Sequence, residues 1–475
     1  MTDYSPKKRV ALTTLGCKVN QFESAAFLSS FAERDVEVVP FAQEADVYII
    51  NTCAVTARAG AQSRQMIRRA LRKNPEARLV VTGCYAQIAS QDILGIVEQP
   101  LCIIGNGFKH QLVDAALSDQ HCDLEMLMGD ISRRHEICPL EVTSFGDRTR
   151  AYLRVQDGCN SFCSYCIVPF TRGRSRSQLP DQVLRQARIF AEEGYRELVV
   201  TGIHTGVYGH DLEPPTDLVS LLRRLLQERP VRYRVSSLDP GEITPELLEL
   251  MAAEENLMPH LHIPLQSGDD RILEKMHRRY RGEDFADLIV RIKKIMPAAA
   301  IGVDVLAGFP GEDEQAFLNT YDLLAGLPVT YLHVFPYSKR PGTVAAGLGG
   351  QVSKKIKDER VAALRELATL KKREFYSAHL GQVLKKIKDE RVATLRELAD
   401  RKKKEFYEAH LGEIREVLVE SGGRRKSAAM KGFTDNYIPV SFAAPITAAN
   451  QLLKVRLEQL GEEGVVGTVV GEESA

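Results

Sequence analysis

The stretch GCNSFCSYCIVPFTRGRSRS, residues 158–177, places three cysteines within eight positions: Cys159, Cys163 and Cys166. The spacing C-x3-C-x2-C is one thiolate short of a closed metal site, because a structural zinc takes four ligands and a four-iron cluster has four iron corners. Thiolates are soft ligands suited to zinc or to iron–sulfur clusters. A zinc ion here needs a fourth ligand such as His204, whereas a four-iron cluster held by three thiolates keeps one iron open. An open iron is a Lewis acid that an amine and a carboxylate together can chelate. S-adenosylmethionine offers both groups and brings its sulfonium beside the cluster, where one electron breaks a C–S bond and releases a carbon radical.

The triplet follows AYLRVQ (151–156), the first of six strand-like runs between about 148 and 345. The others are ELVVTG, YRVSSL, LHIPLQ, IGVDVLAGF and YLHVFPY, with helical segments between them. Six β/α repeats predict a full or partial barrel, whose chemistry sits at the C-terminal mouth of its strands. The strand ends are polar and glycine-bearing (DGCNSFC, TGIHTG, SSLDPGE, HIPLQSG, GFPGE, PYSKRPGT), so the cysteine motif opens at the first mouth.

Residues 8–120 alternate β-branched runs (RVALTTL, ADVYIIN, RLVVTG, LCIIGNG) with amphipathic segments such as ARAGAQSRQMIRRALRKN. This is the βαβ rhythm of a doubly wound parallel sheet. Cys17 ends VALTTLGC, Cys53 ends VYIINTC and Cys84 ends LVVTGC. Ligands of open α/β sheets gather outside the carboxyl ends of the strands. A lone free cysteine is usually a small core residue; three in one register favour ligation of a single object.

Two near-identical segments follow: KKIKDERVAALRELATLKKREFYSAHLG (354–381) and KKIKDERVATLRELADRKKKEFYEAHLG (385–412). Each reads as an amphipathic helix ending at Gly381 or Gly412. Run straight on, the second copy adds about 46 Å of reach; with Gly381 as a breaker, a folded-back hairpin is expected. Residues 413–475 alternate short apolar runs with turn signals and predict a small β-barrel, with a basic loop and Tyr437 available to RNA.

Lys+Arg and Asp+Glu balance at 63 each in 475 residues, so net charge selects no partner and a nucleic-acid surface must be local. Candidates are RRALRK (68–73), RGRSR (172–176), RRYR (278–281) and RRK (424–426). The polar start MTDYSPKKRV lacks an apolar leader and no run reaches membrane-spanning length, which leads to the expectation of a cytoplasmic protein without a membrane partner. Nine cysteines then read as reduced thiols. Cys102, Cys122 and Cys138 match no part of the pattern and are expected to be core or incidental.

Together these motifs resemble the radical S-adenosylmethionine superfamily. TLGCKVNQFES, NTCAVTARA, VVTGCYAQ, GCNSFCSYCIVPFTRGRSRS, HIPLQSGDDRILEKMHRRY and GFPGE narrow the resemblance to its methylthiotransferase family. GCKVNQ is similar to the MtaB-type subgroup, which acts on threonylcarbamoyladenosine in tRNA. Isopentenyladenosine and ribosomal-protein aspartate are the targets of the sister subgroups, and a non-catalytic zinc RNA-binding protein is the remote alternative.

The resemblance implies four units: an α/β domain at 8–135, a (β/α)6 partial barrel at 145–350, a duplicated helical linker at 354–412 and a TRAM-like RNA-binding barrel at 413–475. It implies two four-iron clusters. Cys159, Cys163 and Cys166 hold the one that binds and splits S-adenosylmethionine; Cys17, Cys53 and Cys84 hold an auxiliary cluster from which a methylated sulfur is delivered. The target is C2 of the adenine at position 37 of the anticodon loop, whose C–H yields to a radical and not to acid–base catalysis. Tyr165, Thr201, Gly202, Ser236, Gln266 and Val303 are expected to line the S-adenosylmethionine site. Arg172, Arg174 and Arg176 are expected to meet tRNA phosphates. His204, His262 and Asp239 could contact substrate. A flavodoxin- or ferredoxin-like reductant is a further partner, and the sulfur donor stays open.

Overall fold

A computed structural model describes residues 7–97, 100–118, 124–146, 148–228, 231–377, 406–420, 429–443, 448–461 and 464–470. Cys122, the RRK run and residues 385–405 of the second helical copy lie outside the described residues.

The first unit is a six-stranded sheet of β1 (Lys8–Thr14), β2 (Val36–Val39), β3 (Val47–Thr52), β4 (Arg78–Gly83), β5 (Leu101–Ile104) and β6 (Leu124–Leu127). All its pairs are parallel, in the order β2-β1-β3-β4-β5-β6. Strands covered on both faces read as unbroken apolar runs, and all six residues of β3 are buried. Tyr48, Ile50, Leu79 and Val81 pack with Ile67 of α2 (Ala57–Lys73) on one face. Val10, Ile49 and Val80 pack with Phe27 and Phe31 of α1 (Lys18–Ala32) on the other. The doubly wound expectation holds.

In the second unit β7 (Arg150–Arg154) leads into a short antiparallel pair, β8 (Gln156–Asp157) with β9 (Arg176–Ser177), which brackets the cysteine loop. The wall continues through β10 (Glu197–Thr201), β11 (Arg232–Val235), β12 (His260–Gln266), β13 (Ala300–Ala307) and β14 (Tyr331–Pro336). It forms two parallel three-stranded sheets, β7-β10-β11 and β12-β13-β14, linked by parallel bridges at Tyr233–Leu257 and Ser237–His262. This is the partial barrel.

Side chains alternate across each strand, and here the apolar set faces outward. Leu153, Val200, Tyr233, Ile263 and Val305 pack with Leu222, Leu248, Phe285 and Ile289 of the surrounding helices. Val303 belongs to this outward set and is fully buried, so it does not line the mouth as the sequence suggested. The inner face is polar: Arg150, Arg234, His260, His262 and His333 line the lumen.

The helix Lys354–Ser377 is the first copy of the repeated segment. Its Phe375 lies 5.3 Å, ring centre to ring centre, from Phe406, the matching residue of the second copy, and Tyr376 lies 5.7 Å from Tyr407. Equivalent residues 31 positions apart thus lie side by side, while the path between them, on which the expected hairpin falls, lies outside the described residues. Phe406 and Tyr407 join the core of a closed five-stranded barrel, formed by β15 (Ile414–Val419), β16 (Ala429–Thr434), β17 (Pro439–Ala443), β18 (Leu452–Leu460) and β19 (Val465–Val469) in the order β15-β16-β17-β19-β18. No helix among the described residues is long and apolar enough to cross a membrane.

Candidate metal centres and substrate cavity

Cys17, Cys53 and Cys84 stand at the carboxyl ends of three neighbouring strands, β1, β3 and β4. Register places them there: Thr14 pairs with Asn51, and Thr52 with Gly83. Gly83 has φ +95°, where a Cβ would lie 2.3 Å from the Thr52 carbonyl oxygen, so only glycine admits this turn into Cys84. At Gly16 a Cβ would lie 3.0 Å from the Cys53 sulfur, so the Cys17 loop lies directly on Cys53. Buried Asn20 ties the ends together, donating from Nδ2 to the carbonyls of Leu15 (2.7 Å) and Thr52 (3.0 Å). Asn51 answers by donating to the Asn20 carbonyl at 2.9 Å. Burial pushes the Cys53 thiol up to about 11, with the charges of Cys84 and Cys17 adding to the shift. Thiols crowded this way, with the Cys84 charge raising both Cys17 and Cys53, suit a cationic centre that stabilises all three thiolates at once.

The second triplet sits in the loop between β8 and β9. Gly158, at φ +74°, starts it; a Cβ there would lie 1.8 Å from the Arg174 carbonyl oxygen. His204 Nδ1 is 3.6 Å from Cys159 Sγ and 3.3 Å from Ser161 Oγ, while its Nε2 faces Glu242. Burial opposes the Cys159 thiolate, yet His204 and Ser161 outweigh it and hold that thiol below its ordinary value. Cys166 goes the other way: burial pushes it up to about 12, and the neighbouring Cys163 and Cys159 charges add. Arg278 Nη1 reaches 3.5 Å from Cys163 Sγ, and Nη2 holds Asp239 at 2.7 Å. The donors fit a soft metal centre.

Of the expected cofactor-site residues, Thr201 ends β10 and Ser236 follows β11, both buried. Ser236 Oγ lies 3.5 Å from Thr205 Oγ1. A Cβ at Gly202 would lie 2.8 Å from Gln156 Oε1, so the chain passes close over that amide. Gln266 ends β12 with φ +65°, a strained backbone of the kind that gathers at functional sites. The Tyr165 ring packs edge-on to Phe309 at 6.4 Å. Cys102 is fully buried in β5, and the Cys138 sulfur lies 3.3 Å from His110 Nδ1.

The arginine run behaves differently from expectation. Arg172 is 1% exposed: Nη1 meets Glu23 and Asp157, each at 3.0 Å, and Nη2 donates to Asn20 Oδ1 at 2.6 Å. Lys109 pairs with the same Glu23. Arg176 is also buried, donating to the Arg172 carbonyl at 2.6 Å. Neither can meet a phosphate, because both are consumed by a buried ion network between the two units. Arg174 alone stays exposed, its guanidinium 4.8 Å from the exposed Phe162 ring. Tyr437 is likewise turned inward: its hydroxyl accepts from Arg150 Nη1 at 2.7 Å, closing the lower end of the partial barrel.

Sequence reasoning passed over Gln156, whose amide braces both loops. Its Oε1 accepts from the His204 and Ile203 amides at 2.7 and 3.0 Å, and its Nε2 donates to the Gly158 carbonyl at 2.7 Å. It also passed over the lumen, a cavity of about 830 Å³. Ser236 lies in its wall near the second triplet, and Lys18, next to Cys17, lies in its wall near the first. His262 Nε2 holds Asp304 at 2.7 Å, and His333 Nδ1 approaches the same oxygen at 3.3 Å.

The Radical SAM superfamily model matches residues 153–324, and the model described as Uncharacterized protein family UPF0004 matches residues 9–105. Among solved structures, a radical S-adenosylmethionine methyltransferase, TsrM, from Kitasatospora setae with cobalamin and a [4Fe-4S] cluster bound aligns with TM-score 0.51 at 16% identity, covering 72% of this chain and 77% of that one. The half-barrel with three thiols at its first mouth is thus the fold of a radical S-adenosylmethionine enzyme. The threonylcarbamoyladenosine tRNA methylthiotransferase MtaB of Bacillus subtilis is 38% identical over 98% of this chain and 97% of its own length. That of Aquifex aeolicus is 39% identical over 78% and 91%. The chain belongs to the radical S-adenosylmethionine methylthiotransferase family. A tRNA-2-methylthio-N(6)-dimethylallyladenosine synthase of Bacillus subtilis is also similar, at 29% identity over 98% and 86%.

Proposed function

We propose that this enzyme methylthiolates C2 of N6-threonylcarbamoyladenosine at position 37 of tRNA in the cytoplasm, with a flavodoxin- or ferredoxin-like protein as reductant. The observation that carries this reading is near-full-length similarity to an MtaB, joined by a lumen whose charge suits that base. Cys159, Cys163 and Cys166 would hold one four-iron cluster, and Cys17, Cys53 and Cys84 the other. When bound, the clusters and S-adenosylmethionine, as methyl donor and radical source, supply the radical and sulfur chemistry that side chains lack.

The chain's own residues set position. Gln156 fixes the Cys159 and His204 loops against each other. The Glu23–Arg172–Asp157 network fixes the α1 end, which carries Cys17, against the Cys159 loop. The lumen between them holds the substituent of the flipped base, as enzymes acting on bases draw them out of the stack. An isopentenyl group is uncharged and apolar; a threonylcarbamoyl group carries a carboxylate, a hydroxyl and amides. A wall of arginine, histidine and tyrosine favours the second.

Nucleoside mass spectrometry of tRNA from cells with and without the gene tests the reading. Loss of 2-methylthio-threonylcarbamoyladenosine is the expected result. Loss of the isopentenyl form assigns the sister activity. Unchanged tRNA profiles reject both, and metal analysis finding zinc without sulfide would turn the protein into a non-catalytic binder.

A further inference from the structure

The lumen carries an excess of buried positive charge that its own carboxylates do not meet. Arg150, Arg232 and Arg234 converge on one buried carboxylate, Glu197. Arg234 Nε donates to Glu197 at 2.8 Å, while Arg150 and Arg232 stand at 3.6 and 3.7 Å. Glu420 from the C-terminal barrel adds a second carboxylate, accepting from Arg150 at 3.2 Å. Among the described residues, three guanidinium groups therefore lie within 4 Å of two carboxylates, with Asp435 and Glu416 acting on Arg232 from farther off. No Asp or Glu is among the described residues that line the cavity itself, whereas Lys18, Arg150, Arg234 and Lys372 are. Asp304 lies nearby but is held by His262 and His333.

Arg234 shows where the missing anion belongs. The residue is 5% exposed, it lines the cavity, and its Nη1 has no hydrogen-bond partner among the described residues. A buried guanidinium nitrogen without an acceptor is costly, and such donors are ordinarily satisfied. The group is also held rigidly: Glu197 fixes one edge, and the Tyr437 ring lies 4.7 Å from the guanidinium carbon. His260, stacked on Tyr437 at 6.0 Å, likewise has a buried nitrogen, Nδ1, without a partner among the described residues. An unpartnered nitrogen on Arg234 and another on His260 thus flank one cavity, on either side of Tyr437, whose wall also holds Ser236 and Lys18.

We infer that Arg234 receives the carboxylate of the threonylcarbamoyl group and is the residue by which the enzyme selects its modified adenine. The inference rests on the threonylcarbamoyladenosine reading above. A charge-assisted pair with a fixed planar fork discriminates strongly against a ligand lacking the negative oxygen. A tRNA backbone phosphate offers the same anionic chemistry, so the test must separate the two sources.

The full chain with both centres rebuilt is given anticodon stem-loops carrying threonylcarbamoyladenosine, its carboxamide analogue, or isopentenyladenosine, and binding and methylthiolation are both measured. The expected result is about tenfold or greater preference of the wild type for the carboxylate over the carboxamide, in Kd and in kcat/KM. In Arg234→Gln the preference falls to near unity, with iron content and S-adenosylmethionine cleavage retained; Arg234→Lys keeps part of it. Equal handling of carboxylate and carboxamide by the wild type overturns the inference and assigns the anion site to a phosphate. Undiminished discrimination by Arg234→Gln overturns the role of this residue. Methylthiolation of the isopentenyl stem-loop alone overturns the underlying substrate reading instead. The analogue arm changes the ligand and not the protein, so a folding defect in the variant cannot mimic it.

Discussion

The guanidinium of Arg172 lies 3.0 Å from the carboxylate of Glu23, and that contact joins the two cysteine-bearing units. Glu23 is on α1, which Cys17 caps; Arg172 closes the short helix that follows Cys166. Removing one partner of a fully buried pair strands the other charges, at a typical cost of about 3–5 kcal/mol. Arg172→Gln should therefore lower the unfolding midpoint and the iron content together. A variant as stable and iron-rich as wild type, but weak in tRNA binding, would restore the surface role that burial argues against.

Arg174 is the separable control. It is exposed, so Arg174→Glu should leave stability unchanged. If it meets a backbone phosphate, its loss reduces the slope of log affinity against log salt by about one. Titrations of tRNA at several salt concentrations measure this. A slope identical to wild type would remove the whole 172–176 run from the RNA interface.

The difference between these neighbours shows what the chain made legible. The cysteine addresses were readable because strand ends are marked locally, by β-branched runs closing on Gly or Asn-Thr. Burial of Arg172 and Arg176 was not, since it depends on Glu23, about 150 positions away in the other unit, and on the fold of Asp157 beside them. The lumen was legible in principle. RYRV (232–235) alternates arginine with apolar residues, and HLHIP and YLHVF alternate histidine the same way. Val303, placed at the cofactor site by resemblance, alternates onto the outward apolar face; the polar set, Arg234, His262 and His333, is the set that faces in.

Glu197 gives stability a defined pH dependence. Burial alone would raise its pKa, but Arg234, Arg150 and Arg232 outweigh that and bring it from 4.5 down to about 2. Because the folded value lies below the unfolded one, the stabilisation is present above about pH 4.5 and is lost as pH falls toward 2. Its size is roughly 3 kcal/mol. Denaturation at pH 7, 5, 4 and 3 should show wild type losing stability across that window and Glu197→Gln losing less, from a lower starting value. Parallel curves for the two proteins would refute the assignment.

The two cysteine triplets should fail differently. Cys53→Ser is expected to reduce iron by about half and to abolish methylthio product while S-adenosylmethionine is still cleaved. Cys159→Ser should remove a similar share of iron and end cleavage as well. On the two-cluster reading proposed above, these outcomes follow from three donors per centre, since losing one of three thiolates leaves too few to hold a four-iron cluster. Loss of all iron in either single variant would mean that the centres are assembled as one unit.

The repeated segment offers a test of how the C-terminal barrel is placed. The Phe375 and Phe406 rings meet at 5.3 Å, tilted by 36°, and Tyr407 packs into the barrel core, so contacts that seat the barrel lie at the two ends of the stretch between the copies. Four extended residues span at most about 14 Å, and the Tyr376 and Tyr407 rings that flank the stretch lie 5.7 Å apart. Replacing residues 378–405 with a four-residue Gly-Ser linker should then preserve the Arg150–Tyr437 hydrogen bond, the unfolding midpoint within a few degrees and methylthiolation within about twofold. A collapse of activity with the fold intact, read by circular dichroism and iron content, would show that the second copy itself takes part in binding substrate.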